Sequence, residues 1–354
     1  MTNSAMCTKL RSHCPPPALQ PTRTGTHRRR EQQNLPGYLL PLRPTAPVHR
    51  RCDTLLHMRI ASFNINGIRA ALKRGFSEWM EARDCDVIGL QEVRCRPADL
   101  PEGAFGDRHV SWAPGSLAGR NGVALLTRTA PAGVRSWGTH LVMTPGQTPT
   151  LAEVLPGNTD GLPTQLLPFV DEGRYIEVDL ADAPLTVACL YLPKGATPDP
   201  TNEKSIAKQD RKMAFLAGFR EHLTRRRQEC ASHGRHFLVM GDFNIAHENA
   251  DLKNWKANQR NEGFLPEERQ WFDTILSPDT LVDVVRAQHP DTNGPYSWWS
   301  WRGKAFTNDA GWRIDYHLAS PQLAKTAATA EIDRDPSYAE RTSDHAAVVV
   351  DYAV

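Results

Sequence analysis

Six places in this chain put polar side chains directly beside an apolar run. Phe63 is followed by Asn64 and, after one residue, Asn66; Leu90 by Gln91-Glu92; Leu190 by Tyr191; Met240-Gly241 by Asp242, with Asn244 two residues on. Asp315 follows Trp312-Arg313-Ile314, and Ser343-Asp344-His345 precedes the last apolar run. Strand ends of an α/β sheet converge on a crevice where ligands bind, so groups far apart in the chain can meet there.

Carboxylates, carboxamides, a phenol and an imidazole suit metal-assisted hydrolysis of a phosphodiester. A hard cation, Mg²⁺ or Mn²⁺, takes oxygen ligands and keeps part of its water. Glu92 is the best single ligand, with Asn64 beside it and Asp344 a further candidate. A cation held there would polarise a phosphoryl oxygen and steady the leaving alkoxide. Asp242 suits the alignment and deprotonation of a water on the opposite side, with Asn244 holding that water or a phosphate oxygen. His345, oriented by Asp315, could donate to a non-bridging oxygen, and Tyr191 could hydrogen-bond the phosphate.

Each piece alone has a plainer explanation. An Asp after a buried strand is often a helix cap or a turn residue. Asp344-His345 could be a simple turn, Asp315 an ion-pair partner of Arg313, and Tyr191 an ordinary strand-end aromatic. The combination favours chemistry, because unrelated structural accidents rarely supply a cation ligand, a base and an acid together.

The elements that must position these groups follow from short apolar runs alternating with helical segments. Strands are expected over residues 59–63, 86–90, 122–127, 175–179, 185–190, 237–240, 313–319 and 346–352. Helices are expected over 72–82, 202–227 and 266–276, the last with Pro266 near its start. Mixed strands and helices with adjacent strand pairs imply sheets with helices packed outside, in one domain over 58–354. The Pro/Thr/Gly-rich stretch 139–168 is expected to be a long surface loop or insertion.

Residues 1–57 differ in kind. They hold nine Lys/Arg against Glu31 and Asp53, contain Pro15-Pro16-Pro17 and Arg28-Arg29-Arg30, and lack apolar periodicity, so a disordered tail is expected. A transit peptide, a nucleic-acid-binding tail, or translation starting at Met58 would each fit. The tail carries +7 and residues 58–354 carry −5, so the overall +2 conceals an acidic body. A nucleic-acid binder with such a body must gather its positive charge on one face. The seven cysteines show no zinc-finger spacing and read as reduced thiols of a cytoplasmic protein. No apolar run is long enough to span a membrane.

The motifs carry a resemblance. Ser62-Phe63-Asn64-Ile65-Asn66-Gly67-Ile68-Arg69-Ala70, Asp86–Glu92, Gly122–Thr127, Gly241-Asp242-Phe243-Asn244 and Ser343-Asp344-His345-Ala346 closely resemble bacterial exonuclease III. Asn244–Glu248 and Gly311–Tyr316 look more like the eukaryotic AP endonucleases, and Gly263–Arg269 matches both. The resemblance spans essentially 58–354. It implies a four-layer α/β sandwich of the DNase I-like kind, two packed mixed sheets flanked by helices. It implies cleavage 5′ to abasic sites in double-stranded DNA, with 3′→5′ exonuclease and 3′-end trimming, in a Mg²⁺-dependent monomer. By position its active site would be Asn64, Glu92, Tyr191, Asp242, Asn244, Asp315 and His345. The pocket for a flipped abasic sugar would fall on Trp298, Trp312 and Ile314; core packing is the alternative role for Trp298. Extruding a nucleotide costs least where no base is paired, which itself selects damage.

Three features depart from exonuclease III: Val93-Arg94 after Glu92, Leu192-Pro193-Lys194-Gly195 after Tyr191, and the length of 139–168. DNA contacts are expected among Arg69, Lys73, Arg94, Arg120, Lys194, Lys253, Lys256 and Arg302, which would position the duplex without reading its sequence. Two other readings stand beside the repair nuclease. One is another phosphodiesterase of the same fold: a general DNase, a sphingomyelinase or an inositol-phosphate phosphatase. The other, a non-catalytic binding protein on this scaffold, would require loss of a metal ligand or base, and none is lost.

Overall fold

A computed structural model describes residues 56–117 and 119–354. The expectations for the basic tail, and Cys7, Cys14 and Cys52, therefore lie outside the described residues.

Among the described residues, fourteen strands form two mixed sheets. In chain order they are β1 (His57–Asn64), β2 (Val87–Gln91), β3 (His109–Ala113), β4 (Val123–Thr127), β5 (Gly133–Ser136), β6 (His140–Met143), β7 (Glu153–Leu155), β8 (Tyr175–Asp179), β9 (Leu185–Tyr191), β10 (His236–Asp242), β11 (Val282–Asp283), β12 (Asp315–Ala319), β13 (Ala327–Asp333) and β14 (Ala347–Ala353). The first sheet runs β13-β14-β1-β2-β4-β3-β6-β7 and the second β11-β12-β10-β9-β8-β5.

Side chains alternate across a strand, and here both faces of each sheet are buried. In β1, Ile60 enters the core between the sheets while Ala61 and Phe63 pack outward against Phe76 and Met80. In β10, Leu238 and Met240 face inward while Phe237 and Val239 meet Phe215, Phe219 and Phe272. The outer layers are helices: α1 (Ile68–Leu72) and α2 (Phe76–Arg83) on the first sheet, and α3 (Glu203–Ser232) with the helix Pro266–Ile275 on the second. This is the four-layer sandwich. At Gly89 the sheets come so close that a Cβ would stand 2.6 Å from Met240 Cε.

The same alternation sets the site. Asn64, Tyr191, Asp242 and Asp315 continue the inward-facing rows of β1, β9, β10 and β12 by one more step. β1 pairs with β2 in parallel, and β9 with β10, so both pairs end at one edge. β12 runs antiparallel to β10 and β14 to β1, so they begin at that edge; Asp242 is paired with both Tyr191 and Asp315. The site is the polar continuation of the apolar inter-sheet core.

Two expectations need correction. The helix expected over 72–82 is two helices, broken at Gly75, whose φ of 90° is left-handed. The stretch 139–168 is not simply a loop: it contains β6 and β7, which extend the first sheet, and the start of a 3₁₀ segment, Thr164–Glu172. Its prolines and short strands hide the period of two. Strands β3, β5, β11 and β13 also lie outside the expected spans. Helix α3 begins where expected, with Asn202 Oδ1 accepting from Ser205 N at 3.3 Å. It runs beyond 227 to Ser232.

Candidate active site

Asn64 joins two acids. Its amide nitrogen donates to Glu92 Oε1 at 3.0 Å and to Asp242 Oδ2 at 2.9 Å. Its carbonyl oxygen accepts from Asn66 N at 3.1 Å. The residue expected as an oxygen ligand is therefore placed as a donor, because one amide cannot turn its nitrogen to both carboxylates and its oxygen to the same cation.

Backbone conformation concentrates here. Asn66, Glu92, Arg94 and Asn244 have φ of 48°, 54°, 50° and 49°. The left-handed region costs an L-residue roughly 1–2 kcal/mol, so the surroundings must hold each one. Gly67 N donates to Glu92 O at 2.8 Å and Ile68 N to Val93 O at 3.0 Å, which fixes the turn. The Arg94 guanidinium then reaches both Glu92 and Asn66.

Asp242 is 1 % exposed. Asn244 N donates to its Oδ1 at 2.8 Å, and Asn244 Nδ2 donates to Leu192 O at 2.9 Å. His345 Nδ1 donates to Asp315 Oδ2 at 2.9 Å, which leaves Nε2 3.8 Å from Asp242 Oδ2. Ser297 Oγ donates to the same Asp315 oxygen at 2.6 Å and accepts from Ile314 N and Asp315 N, each at 3.1 Å. Asp315 is thus not the partner of Arg313, which pairs with Asp251 and Asp283 at 2.7 Å each.

The electrostatics follow. Burial raises the Asp242 carboxyl out of the usual carboxylate range; Asp315 and Glu92 add to the rise, and His345 opposes it. Burial disfavours a charged His345, but Asp315, Asp242 and Asp344 overrule it and hold the imidazolium well above the usual histidine range. Burial and the nearby Glu92 and Asp242 push the Tyr191 phenol up, so it stays a neutral hydroxyl. Burial also works against ionised Asp344, but His345 and hydrogen bonds from Trp298 and Asn66 lower its pKa.

Among the described residues, Glu92, Asp242 and His345 offer ligand atoms that all lie within 4.8 Å of one another. Asp344 is not of that group: Asn66 Nδ2 donates to one of its oxygens at 2.7 Å and Trp298 Nε1 to the other at 3.1 Å. A cavity of about 740 Å³ opens in front. Glu92, Tyr191, Asp242, Asn244, Asp344 and His345 face it from the chemical side. Trp298, Trp312 and Ile314 form an apolar wall, with the two indoles edge to face at 6.3 Å. Trp298 therefore lines the cavity, whereas Trp299, 1 % exposed, belongs to the core. Asn64 and Asp315 stand behind the lining and orient it.

Of the eight basic residues expected near DNA, Arg94, Lys194 and Arg302 line the cavity. Arg69, Lys73, Arg120, Lys253 and Lys256 are exposed. Sequence reasoning passed over Ser297, which nothing in the run Tyr296-Ser297-Trp298 singles out. It also passed over Lys212, detectable only as a cation on the apolar stripe that includes Phe215 and Phe219. The described cysteines, Cys85, Cys95, Cys189 and Cys230, are free and buried, and burial pushes the Cys85 and Cys189 thiols up to about 12. No helix among the described residues is long and apolar enough to cross a membrane.

Known proteins resemble this chain in sequence and fold. DNA repair nuclease APEX1 of Danio rerio is 30% identical over 272 residues, covering 75% of this chain and 74% of the relative. An exodeoxyribonuclease of Bacillus subtilis is 28% identical over 282 residues, 78% of this chain and 94% of its own. The solved AP endonuclease of Archaeoglobus fulgidus superposes with a TM-score of 0.66 at 27% identity, over 84% of this chain and all of that one. The Neisseria 3′ phosphatase NExo, bound to a product DNA hairpin, gives 0.66 at 26% identity, over 83% and 99%. Residues 61–345 match the model of one family from the strand before Asn64 through His345 itself. Two mixed sheets delivering their polar strand ends to one crevice, with relatives that share most of its length, make this chain a member of the endonuclease/exonuclease/phosphatase family.

Proposed function

We propose that this protein is a DNA-repair nuclease that hydrolyses the phosphodiester 5′ to abasic sites, with 3′→5′ exonuclease and 3′-end trimming activity. One observation carries the reading: Asp242 and His345, the latter held from behind by Asp315, share a cavity with the apolar wall Trp298, Trp312 and Ile314. A phosphate would meet the first and a base-free sugar the second.

The donor set fits a hard divalent cation. Glu92 offers a carboxylate oxygen beside Asp242, and Mg²⁺ binds through one or two carboxylates together with water and substrate phosphate. When bound, Mg²⁺, or Mn²⁺ in its place, supplies charge neutralisation at the phosphoryl and leaving oxygens. The chain's own groups do the rest. Asp242, its affinity for a proton raised by burial, takes one from the attacking water. Asn244, its amide nitrogen engaged by Leu192 O and Asp242 Oδ2, has Oδ1 left to accept a hydrogen bond from that water and hold it in line. Charged His345 donates through Nε2 to a non-bridging oxygen while Asp315 keeps Nδ1 protonated. Neutral Tyr191 adds a hydroxyl donor. Arg94, Lys194 and Arg302 at the cavity steer the DNA backbone. The enzyme would act as a monomer on double-stranded DNA, at the chromosome in the cytoplasm, with 58–354 as its nuclease domain.

The test is a 5′-labelled duplex carrying one tetrahydrofuran abasic analogue, incubated with Mg²⁺ or EDTA beside an undamaged duplex. A single Mg²⁺-dependent incision immediately 5′ to the analogue, absent in Glu92→Ala, is the expected result. Equal cutting of undamaged DNA, or none, would sink the abasic reading and point to a general nuclease or a lipid or inositol phosphodiesterase.

A further inference from the structure

Lys212 lies in the middle of α3 with none of its side chain exposed. Lysine is almost never fully buried unless paired. Its ammonium has three N–H groups, and three acceptors surround it: Glu268 Oε1 at 2.7 Å, Asn244 O at 3.0 Å and Lys194 O at 3.2 Å. The two carbonyls belong to the loops leaving β9 and β10, the loops that follow Tyr191 and Asp242.

The same group reaches a third loop. Glu268 Oε2 accepts from Gly263 N at 2.7 Å and from Leu265 N at 3.1 Å. Gln209 Nε2 donates to Glu268 Oε1 at 3.2 Å, and Gln209 Oε1 accepts from Ala196 N at 3.1 Å. Lys194, Asn244 and Gly263 all line the cavity, so this buried group lies beneath its floor. The fit is tight: a Cβ on Gly195 would stand 2.4 Å from Gln209 Oε1 and 2.7 Å from Lys212 Cδ.

We propose that Lys212, paired with Glu268, is a positioning residue for the reaction. It holds the backbone of Asn244 in its left-handed turn, so that Asn244 N stays on Asp242 Oδ1 and the Lys194 loop stays against the site. This rests on the hydrolytic reading above. An apolar pair of similar volume often matches a buried ion pair in stability. What it cannot supply is the two hydrogen bonds that Lys212 donates to the loops after β9 and β10, and the two that Glu268 accepts from Gly263 N and Leu265 N.

That contrast defines the experiment. Lys212→Met, the double variant Lys212→Met/Glu268→Leu, and Gly195→Ala are compared with the full-length protein. The readouts are thermal unfolding, steady-state incision of the abasic duplex, and hydrogen exchange at the Asn244 and Ala196 amides. Lys212→Met alone should lose stability and activity together, because it leaves Glu268 buried and unpaired. The double variant removes both buried charges but leaves Asn244 O, Lys194 O, Gly263 N and Leu265 N without these partners. It should therefore recover part of the melting temperature lost in Lys212→Met while kcat stays down by about 10²-fold, as expected for misplaced reacting groups, with KM little changed. Its Asn244 and Ala196 amides should exchange at least about tenfold faster than in the wild type. Gly195→Ala, which displaces the group without removing its charge, should show the same kcat loss and exchange if the double variant does not fold. Recovery of wild-type kcat with unchanged exchange in the double variant would overturn the proposal and leave the pair a fold element only. The exchange readout holds even if wild-type protein fails to cut abasic DNA, so failure of the activity reading and failure of this one are told apart.

Discussion

Asp315 holds His345 by a 2.9 Å hydrogen bond to Nδ1 and thereby leaves Nε2 pointing at the site, 3.8 Å from Asp242. Asp315 thus fixes both the tautomer and the charge of the imidazole. Asp315→Asn should therefore keep the fold, since the amide can still satisfy Ser297. It should lower kcat by roughly 10²–10⁴-fold, the range of acid–base assistance. It should also bring the His345 titration, followed by NMR in metal-free protein, down toward the ordinary histidine range. An unchanged titration would remove Asp315 from this role.

Glu92 is the carboxylate that the cation reading depends on most. Glu92→Gln should weaken Mg²⁺ or Mn²⁺ binding, measured by calorimetry without DNA, by at least about tenfold, comparable to losses seen on altering metal-site residues. Chelation should abolish incision by the wild-type protein, and added Mg²⁺ should restore it. Equal metal affinity in the two proteins would move the ligand elsewhere.

Trp312 and Trp298 meet edge to face beside Ile314. Trp312→Ala should reduce kcat/KM on abasic duplex by about 10–200-fold, the discrimination that apolar pocket contacts supply. Trp299→Ala should instead act through stability, since that ring is core. Melting curves run beside the kinetics distinguish the two, and a Trp312 variant that loses only stability would refute the wall.

Asp251 accepts from Arg313 Nε at 2.7 Å, with Arg286 also on it, and Arg313 N donates to Asp251 O at 2.8 Å. Burial pushes the Asp251 carboxyl up, but Arg313 and Arg286 overrule it and hold it below the usual carboxylate range. A depressed folded pKa contributes stability that is fully present above the unfolded value of 3.8 and is lost as pH falls through the folded one. Asp251→Asn should cost roughly 3–5 kcal/mol near neutrality, as breaking a buried pair does. The gap to wild type should narrow below about pH 4, near the unfolded aspartate pKa. A gap that does not change in urea unfolding across that range would contradict the assignment.

Much of the site is legible from sequence because its signal is local. A short continuous apolar run, stopped by Asn64, Gln91-Glu92, Tyr191 or Asp242, announces both a strand and the polar group at its end. Sheets with helices packed outside follow from the alternation of such runs with helical segments, the four-layer sandwich from the family resemblance, and Pro266 announces its helix. What only the tertiary structure decided depends on partners distant in the chain. Asn64 turns its nitrogen, not its oxygen, to Glu92 and Asp242 because Asn66 N claims the oxygen. Asp315 bonds His345 rather than Arg313 because Asp251 and Asp283 surround that guanidinium. Strands β6 and β7 form in a Pro/Thr/Gly-rich stretch because the edge strand β3 offers unpaired backbone groups, which no local pattern records. Ser297 and Lys212 look ordinary in sequence, and their roles exist only because folding surrounds each with buried groups that need a donor.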